Sequence, residues 1–149
     1  MAAETTIFWR AAADLSALLS SRIDPGVQVF MRRARGLPQS VKKCVVIRVP
    51  LARASTGAGQ GVPSLWGSHL QVDCLVRSCS DVDAQADALM GSVIEALKPE
   101  FTRGTPVAGM ELAQIEWDDD YDGESSVCIS ISYQLRHAGP FGGGVRVKT

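Results

Sequence analysis

The stretch from Ile115 to Arg136, IEWDDDYDGESSVCISISYQLR, decides the fold. In its second arm Val127, Ile129, Ile131, Tyr133 and Leu135 take every other position, with Cys128, Ser130, Ser132, Gln134 and Arg136 between them. Period two is the period of a strand, so this arm predicts a strand with one dry face and one wet face. The first arm repeats the pattern more weakly through Ile115 and Trp117. Asp122-Gly123 supplies the positive φ that a tight reversal between the arms needs. A lone hairpin is marginal in water, so this one requires further strands and a cover.

Working outward, the segment before the hairpin supplies a cover. Val82, Ala86, Leu89, Val93, Ile94 and Leu97 form an apolar stripe at helical spacing opposite Asp83, Asp87 and Glu95. Ser80 or Asp81 is the expected cap, the acidic first turn suits the helix dipole, and Pro99 stops the helix. Lys98 to Gly109 reads as a connector. Before this helix, Leu70, Val72, Cys74 and Val76 alternate with Gln71, Asp73, Leu75 and Arg77 as a strand.

Earlier still, Pro50 to Ser68 holds four glycines and two prolines without periodicity and reads as a loop of 19 residues. Connections in compact domains are usually about 4 to 6 residues. Such a loop is expected to order only on assembly, with Arg53, Leu65 and Trp66 as its candidate contacts. Val45, Ile47 and Val49, and before them Val27, Val29 and Met31, alternate as two strands. Phe8, Ala12, Leu15, Leu18, Leu19 and Ile23 fall at helical spacing up to Asp24-Pro25-Gly26. The order helix, two strands, loop, strand, helix, hairpin predicts an α+β, two-layer domain. Its sheet is mainly antiparallel or mixed, with both helices on one face. The domain spans residues 1–138, and the Gly-rich 139–149 is a tail with little to pack.

The 149 residues suit one core, which buries roughly 70% of the unfolded surface. The chain is 46% apolar and 21% charged, has no apolar run near membrane-span length, and shows no signal-peptide pattern in Met1 to Arg10. It therefore reads as soluble and not exported. Cys44, Cys74, Cys79 and Cys128 form no CxxC pair and read as reduced, packed thiols.

The net charge of −1 hides a division. Residues 1–60 hold nine Lys/Arg and three Asp/Glu, a balance of +6, and residues 61–149 hold six and thirteen, a balance of −7. The basic group is Arg32, Arg33, Arg35, Lys42 and Lys43, joined by Arg48 and Arg53; the acidic group is Asp118, Asp119, Asp120, Asp122 and Glu124. Opposite charge on two flanks suits a ring of identical subunits, in which one surface of each copy meets a different surface of the next. The alternative is two solvated faces within one fold.

The strand LQVDCLVRS, the helix DVDAQADALMGSVIEALKP and the closing hairpin, taken in this order over residues 7–137, resemble the tail terminator proteins of tailed bacteriophages, the minor tail protein U group. The resemblance implies a structural protein with no catalytic site and no cofactor, located in the virion tail and assembled in the host cytoplasm. It implies a hexameric ring on the finished tail tube, which stops polymerisation of the tube protein and offers a surface to the head's neck proteins. Genome DNA would pass through the ring without sequence-specific binding.

Sharper chemistry competes with this reading. Asp118, Asp120, Asp122 and Gly123 match positions 1, 3, 5 and 6 of an EF-hand loop, but position 12 is Ile129 where a bidentate glutamate belongs. His69 and His137 lack nearby ligands at metal spacing and read as surface or strand-end residues. GAGQG at Gly57 to Gly61 lacks the dinucleotide spacing and a following helix. No P-loop, nucleophile elbow or HExxH occurs. A nucleic-acid-binding module using the basic half is a second function class, set against the slightly acidic whole and the want of interleaved aromatics. A small-molecule or enzyme domain on the same plan is a third.

Overall fold

The computed structural model describes residues 6–31, 40–54, 65–77, 80–98, 109–119 and 126–138. Thr6 opens α1 (Ile7–Arg22) by accepting the Trp9 N–H at 3.3 Å, and the Ile23 N–H closes it on the Leu19 carbonyl. Pro25 cannot continue the helix. Asp24 turns the chain instead, its Oδ1 accepting the Gly26 N–H at 2.8 Å and its carbonyl the Val27 N–H. The second helix, α2 (Val82–Ala96), has Asp81 at its N-cap, as expected, but in the left-handed conformation with φ 53°. There the Asp81 side chain makes no capping bond. Its carbonyl accepts the Gln85 N–H, and the Gln85 side chain returns to the Ser80 carbonyl at 2.7 Å. Aspartate is among the few residues that tolerate this conformation.

Five strands follow the order β1-β2-β3-β5-β4: β1 (Gln28–Met31), β2 (Lys43–Ala54), β3 (Leu65–Arg77), β4 (Gly109–Asp119) and β5 (Ser126–Ala138). Only β1 and β2 are parallel; the other pairs are antiparallel. The sheet is mixed and mainly antiparallel, and both helices lie on one face of it, α1 over β1 and β2 and α2 over β3 and β5. Register aligns the dry row Ile115–Ile131–Val72–Ile47–Met31 across all five strands. Ile131, Val72 and Ile47 within it are fully buried under Leu15, Leu19, Leu89 and Val93. Each such side chain contributes about 1.5–3 kcal/mol relative to an exposed one.

Four expectations change. The loop read from Pro50 to Ser68 is shorter at both ends, because Leu51–Ala54 pairs with Trp66–His69 in the β2–β3 ladder. Pro50 hid the strand in the sequence, since proline has no N–H for a ladder. The register shifts between Arg48 and Leu51, and this bulge accommodates the proline. Residues 55–64 lie outside the described residues. Second, β4 begins at Gly109, six residues before the predicted start; it is an edge strand, whose exposed Glu111 to Gln114 show no alternation of burial. Trp117 shares the dry parity but is 56% exposed, because it stands beyond the helices' cover.

Third, the face away from the helices is not uniformly wet. Cys44, Leu75 and Cys128 are buried there with Val41, and half-buried Phe30 and Val46 pack against them. Arg77, itself buried, fixes Val41 by donating from Nε to the Val41 carbonyl at 2.9 Å. Fourth, His137 is not a surface residue. It continues the β5 parity two places past Leu135, is 1% exposed, and lies 2.6 Å from Ser68 Oγ through Nε2. The Asp122-Gly123 turn and the tail 139–149 lie outside the described residues.

Candidate assembly surface

Of the two charge groups read from the sequence, the described members lie at β2 and β4. Lys42 and Lys43 enter β2, while Asp118 and Asp119 leave β4. Pairing runs Lys43–Val76–Val127–Asp119, so both groups stand at one level of the sheet, separated by three strand spacings. That is about 14 Å between backbones. Arg32, Arg33, Arg35, Asp120, Asp122 and Glu124 lie outside the described residues.

The candidate contacts of the expected loop sit in paired strands. Arg53 is exposed opposite Gly67, and Trp66 opposite Ala54 is half-buried. Trp66 meets Phe8 edge-on at 5.3 Å between ring centroids, and Phe8 meets His137 at the same distance. Trp66 thus packs against α1 within the chain while staying half-buried. Leu65 opens β3 opposite Ala138.

The helix-free face carries a polar network that sequence reading missed. Asp73 Oδ1 accepts the Ser130 hydroxyl at 2.7 Å and the Gln71 amide at 3.0 Å, and Gln134 Nε2 lies 3.1 Å from His69 Nδ1. Arg136 approaches Glu111 at 3.8 Å between exposed side chains. Its guanidinium lies over Gly109, where a Cβ would stand 2.8 Å from Cζ. Such exposed pairs contribute about 0–1 kcal/mol each and set orientation more than stability.

Burial pushes the Cys128 thiol up to about 12, with the Asp73 charge adding to it, and burial pushes Cys74 higher still. Both stay protonated at neutral pH and offer neither a nucleophile nor a thiolate ligand. The Ser68–His137 pair is buried on both sides, out of reach of a substrate. Ile129, at the last position of the EF-hand match, is wholly buried in β5, so no ligand arises there. Among the described residues no group of three His, Cys, Asp or Glu side chains is placed to hold a metal, and no helix is long and apolar enough to cross a membrane.

Depressions form among the described residues. One of about 180 Å³ is lined by Phe8, Trp9, Ala12, Met31, Arg48 and Val49 where α1 meets the β1–β2 edge. A second of about 300 Å³ lies among Leu51, Arg53, Gly67, His69 and Gln134.

No protein-family model and no curated protein sequence matches this chain. Among solved structures the fold is similar to a chain of the virion of a native gene transfer agent particle. That match has 14% identity, covers 90% of this chain and 92% of the other, and has a TM-score of 0.51. The fold is also similar, at 14% identity and a TM-score of 0.45, to the sheath/tube terminator of an extracellular contractile injection system in its extended state. That match covers 100% of this chain and 64% of the terminator. At 14% identity the likeness to the gene transfer agent chain is one of fold.

Proposed function

We propose that this chain is a structural tail protein of a phage-like particle, a terminator whose copies close into a ring, six by the resemblance of its sequence, on the end of the tail tube. The ring would stop polymerisation of the tube protein, offer a surface to the neck proteins and let DNA pass. The observation that carries the reading is the placement of Lys42-Lys43 at the start of β2 and Asp118-Asp119 at the end of β4, at one level of the sheet and three strand spacings apart. A contact between unlike flanks repeats round a ring, whereas a contact between like flanks stops at two copies. The fold likeness to a chain of a gene transfer agent virion supports a place in such a particle.

In this reading the basic group Arg32, Arg33, Arg35, Lys42 and Lys43 of one subunit faces Asp118 to Glu124 of its neighbour. Each exposed pair contributes at most about 1 kcal/mol, so free subunits associate weakly, and more weakly in salt. The tube then acts as the template for closure. The test reverses charge in complementation assays of tail capping. Arg32→Glu with Arg33→Glu should abolish capping, and a mixed-in subunit with Asp119→Lys and Asp120→Lys should restore part of it. Capping untouched by either set of reversals would show that these charges are only a solvated surface.

A further inference from the structure

The β4 edge presents an apolar row on one side and an acidic row on the other. Register with β5 puts Leu112 and Trp117 on the helix side, opposite Tyr133 and Ile129, and leaves them 47% and 56% exposed. The same register puts Glu111, Glu116 and Asp118, all exposed, on the helix-free side, opposite Gln134, Ser130 and Cys128. β4 closes the strand order, and among the described residues no strand pairs along its outer side. The strand GMELAQIEWDD holds four acids and no Lys or Arg.

Edge strands are commonly guarded by charge and bulges, and β4 has both, with its register shifting between Leu112 and Gln114. Guarding does not account for two large apolar side chains exposed on one side. A strand that covered them would be apolar on its helix side and basic on the other, in alternation. A second β4 does not fit, because a two-fold pairing of β4 with its copy lays acid beside acid, and like charges directly opposite destabilise a ladder. A segment of this sequence does fit. Val145-Arg146-Val147-Lys148 alternates apolar with basic residues.

That segment is also tethered within reach. β5 ends at Ala138, just past the pairing of Arg136 with Gly109 at the start of β4. The outer side of β4 is two strand spacings from β5, about 10 Å. The seven residues from Ala138 to Val145 span up to about 23 Å. Because β4 is antiparallel to β5, a chain that leaves β5 there and turns back along the edge runs parallel to β4, from Gly109 toward Trp117.

We infer that residues 145–148 dock along the outer side of β4 of their own chain, with Val145 and Val147 beside Leu112 on the helix side and Arg146 and Lys148 toward Glu111 and Glu116 on the other. Tethering gives the segment a high effective concentration, so a strand too short to hold in trans holds here. The docked segment takes the edge that a strand of another chain would use. It leaves Asp118 and Asp119, farther along β4, uncovered for the contact between subunits. The inference concerns one chain alone and does not depend on what the protein caps.

Cross-linking within the full chain tests it. Gln114 is exposed on the helix-free side of β4. In a Cys79→Ser background, with circular dichroism and melting checked against the parent, the chain carrying Gln114→Cys and Thr149→Cys is treated with a short-armed bismaleimide at low protein concentration. The main product should be an internally cross-linked monomer, identified by mass spectrometry of its digest. Adding Val145→Asp with Val147→Asp should cut the yield about tenfold. Glu111→Arg with Glu116→Arg should lower it as well, and Arg146→Glu with Lys148→Glu on top of that pair should bring most of it back. No internal product, or a yield unmoved by the aspartates, would overturn the proposal, as would a loss that the charge swap does not recover. Cross-linked dimers in place of the internal product would also overturn it, since the occupant would then be the same segment of a second copy.

Discussion

Replacing Tyr133 by phenylalanine should stabilise the protein, against the usual direction of such a change. Tyr133 is 4% exposed in the middle of β5, and its hydroxyl is buried without a hydrogen-bond partner among the described residues. A buried polar group left unsatisfied costs about 1–3 kcal/mol, whereas a hydroxyl that makes its bond contributes about 0.5–1.5. Tyr133→Phe keeps the ring and its packing against the core, so the expected gain at pH 7 is about 1 kcal/mol, or a rise in Tm of about 2–4 °C for a chain of this size. A second arm comes from alkali. Burial, with the Cys74 charge adding to it, pushes the Tyr133 phenol from 10 up to about 12. The unfolded chain gives up that proton first, so the stability tied to the neutral phenol is whole below pH 10 and is lost as pH rises toward 12. The loss amounts to about 2–3 kcal/mol. Phenylalanine has no proton to lose. Urea melts of the two proteins at neutral pH and at several points between 10 and 12 should therefore show a gap that opens with pH. A variant less stable by about 1 kcal/mol at pH 7, with a gap that stays constant into alkali, would mean that the hydroxyl is bonded and the reasoning wrong.

Ile131→Asp puts a carboxylate into the fully buried dry row and should prevent folding, seen as loss of a cooperative melt; a cooperatively melting variant would mean that the faces of β5 are reversed. Ser130→Asp, one residue away, should fold but lose about 1–2 kcal/mol, since it sets a second carboxylate against Asp73, and the deficit should shrink in acid. Gly91 lies exposed inside α2, where an added Cβ meets nothing within 4 Å, so Gly91→Ala should gain about 0.5–1 kcal/mol in the same melts.

Elements with one face in the core were legible because burial imposes a period. The β5 row, the stripe of α2 and the spacing of α1 all stand where the sequence put them. The reading stopped at Leu135 only because histidine was not counted as a core residue, although His137 keeps the same parity. Segments at the sheet's margins left no such trace. Leu51 to Arg53 and Glu111 to Gln114 pair through their backbones while most of their side chains face solvent, so pairing leaves no mark on residue type. The second apolar patch was hidden by Cys44 and Cys128, small thiols that were counted on the wet face. The charge groups were visible as blocks along the chain. The separation of Lys43 from Asp118 by two intervening strands was not, since it depends on β5 inserting between β3 and β4, which no local signal announces.

That insertion has a consequence for how the chain acquires its fold. The last of the five strands in sequence lies inside the sheet, paired with β3 over thirteen residues on one side and with β4 on the other. During synthesis β1 to β3 and both helices emerge first, and β3 then presents a bare edge until Ser126 to Ala138 arrives. A nascent or truncated chain ending before Ser126 holds a roof over half a sheet, with Leu70, Val72 and Cys74 unpaired on one side. Such an edge is a template for pairing with another chain. Closure of the sheet is thereby deferred until Ser126 to Ala138 has been made, and a chain that stops short of it is the more aggregation-prone form.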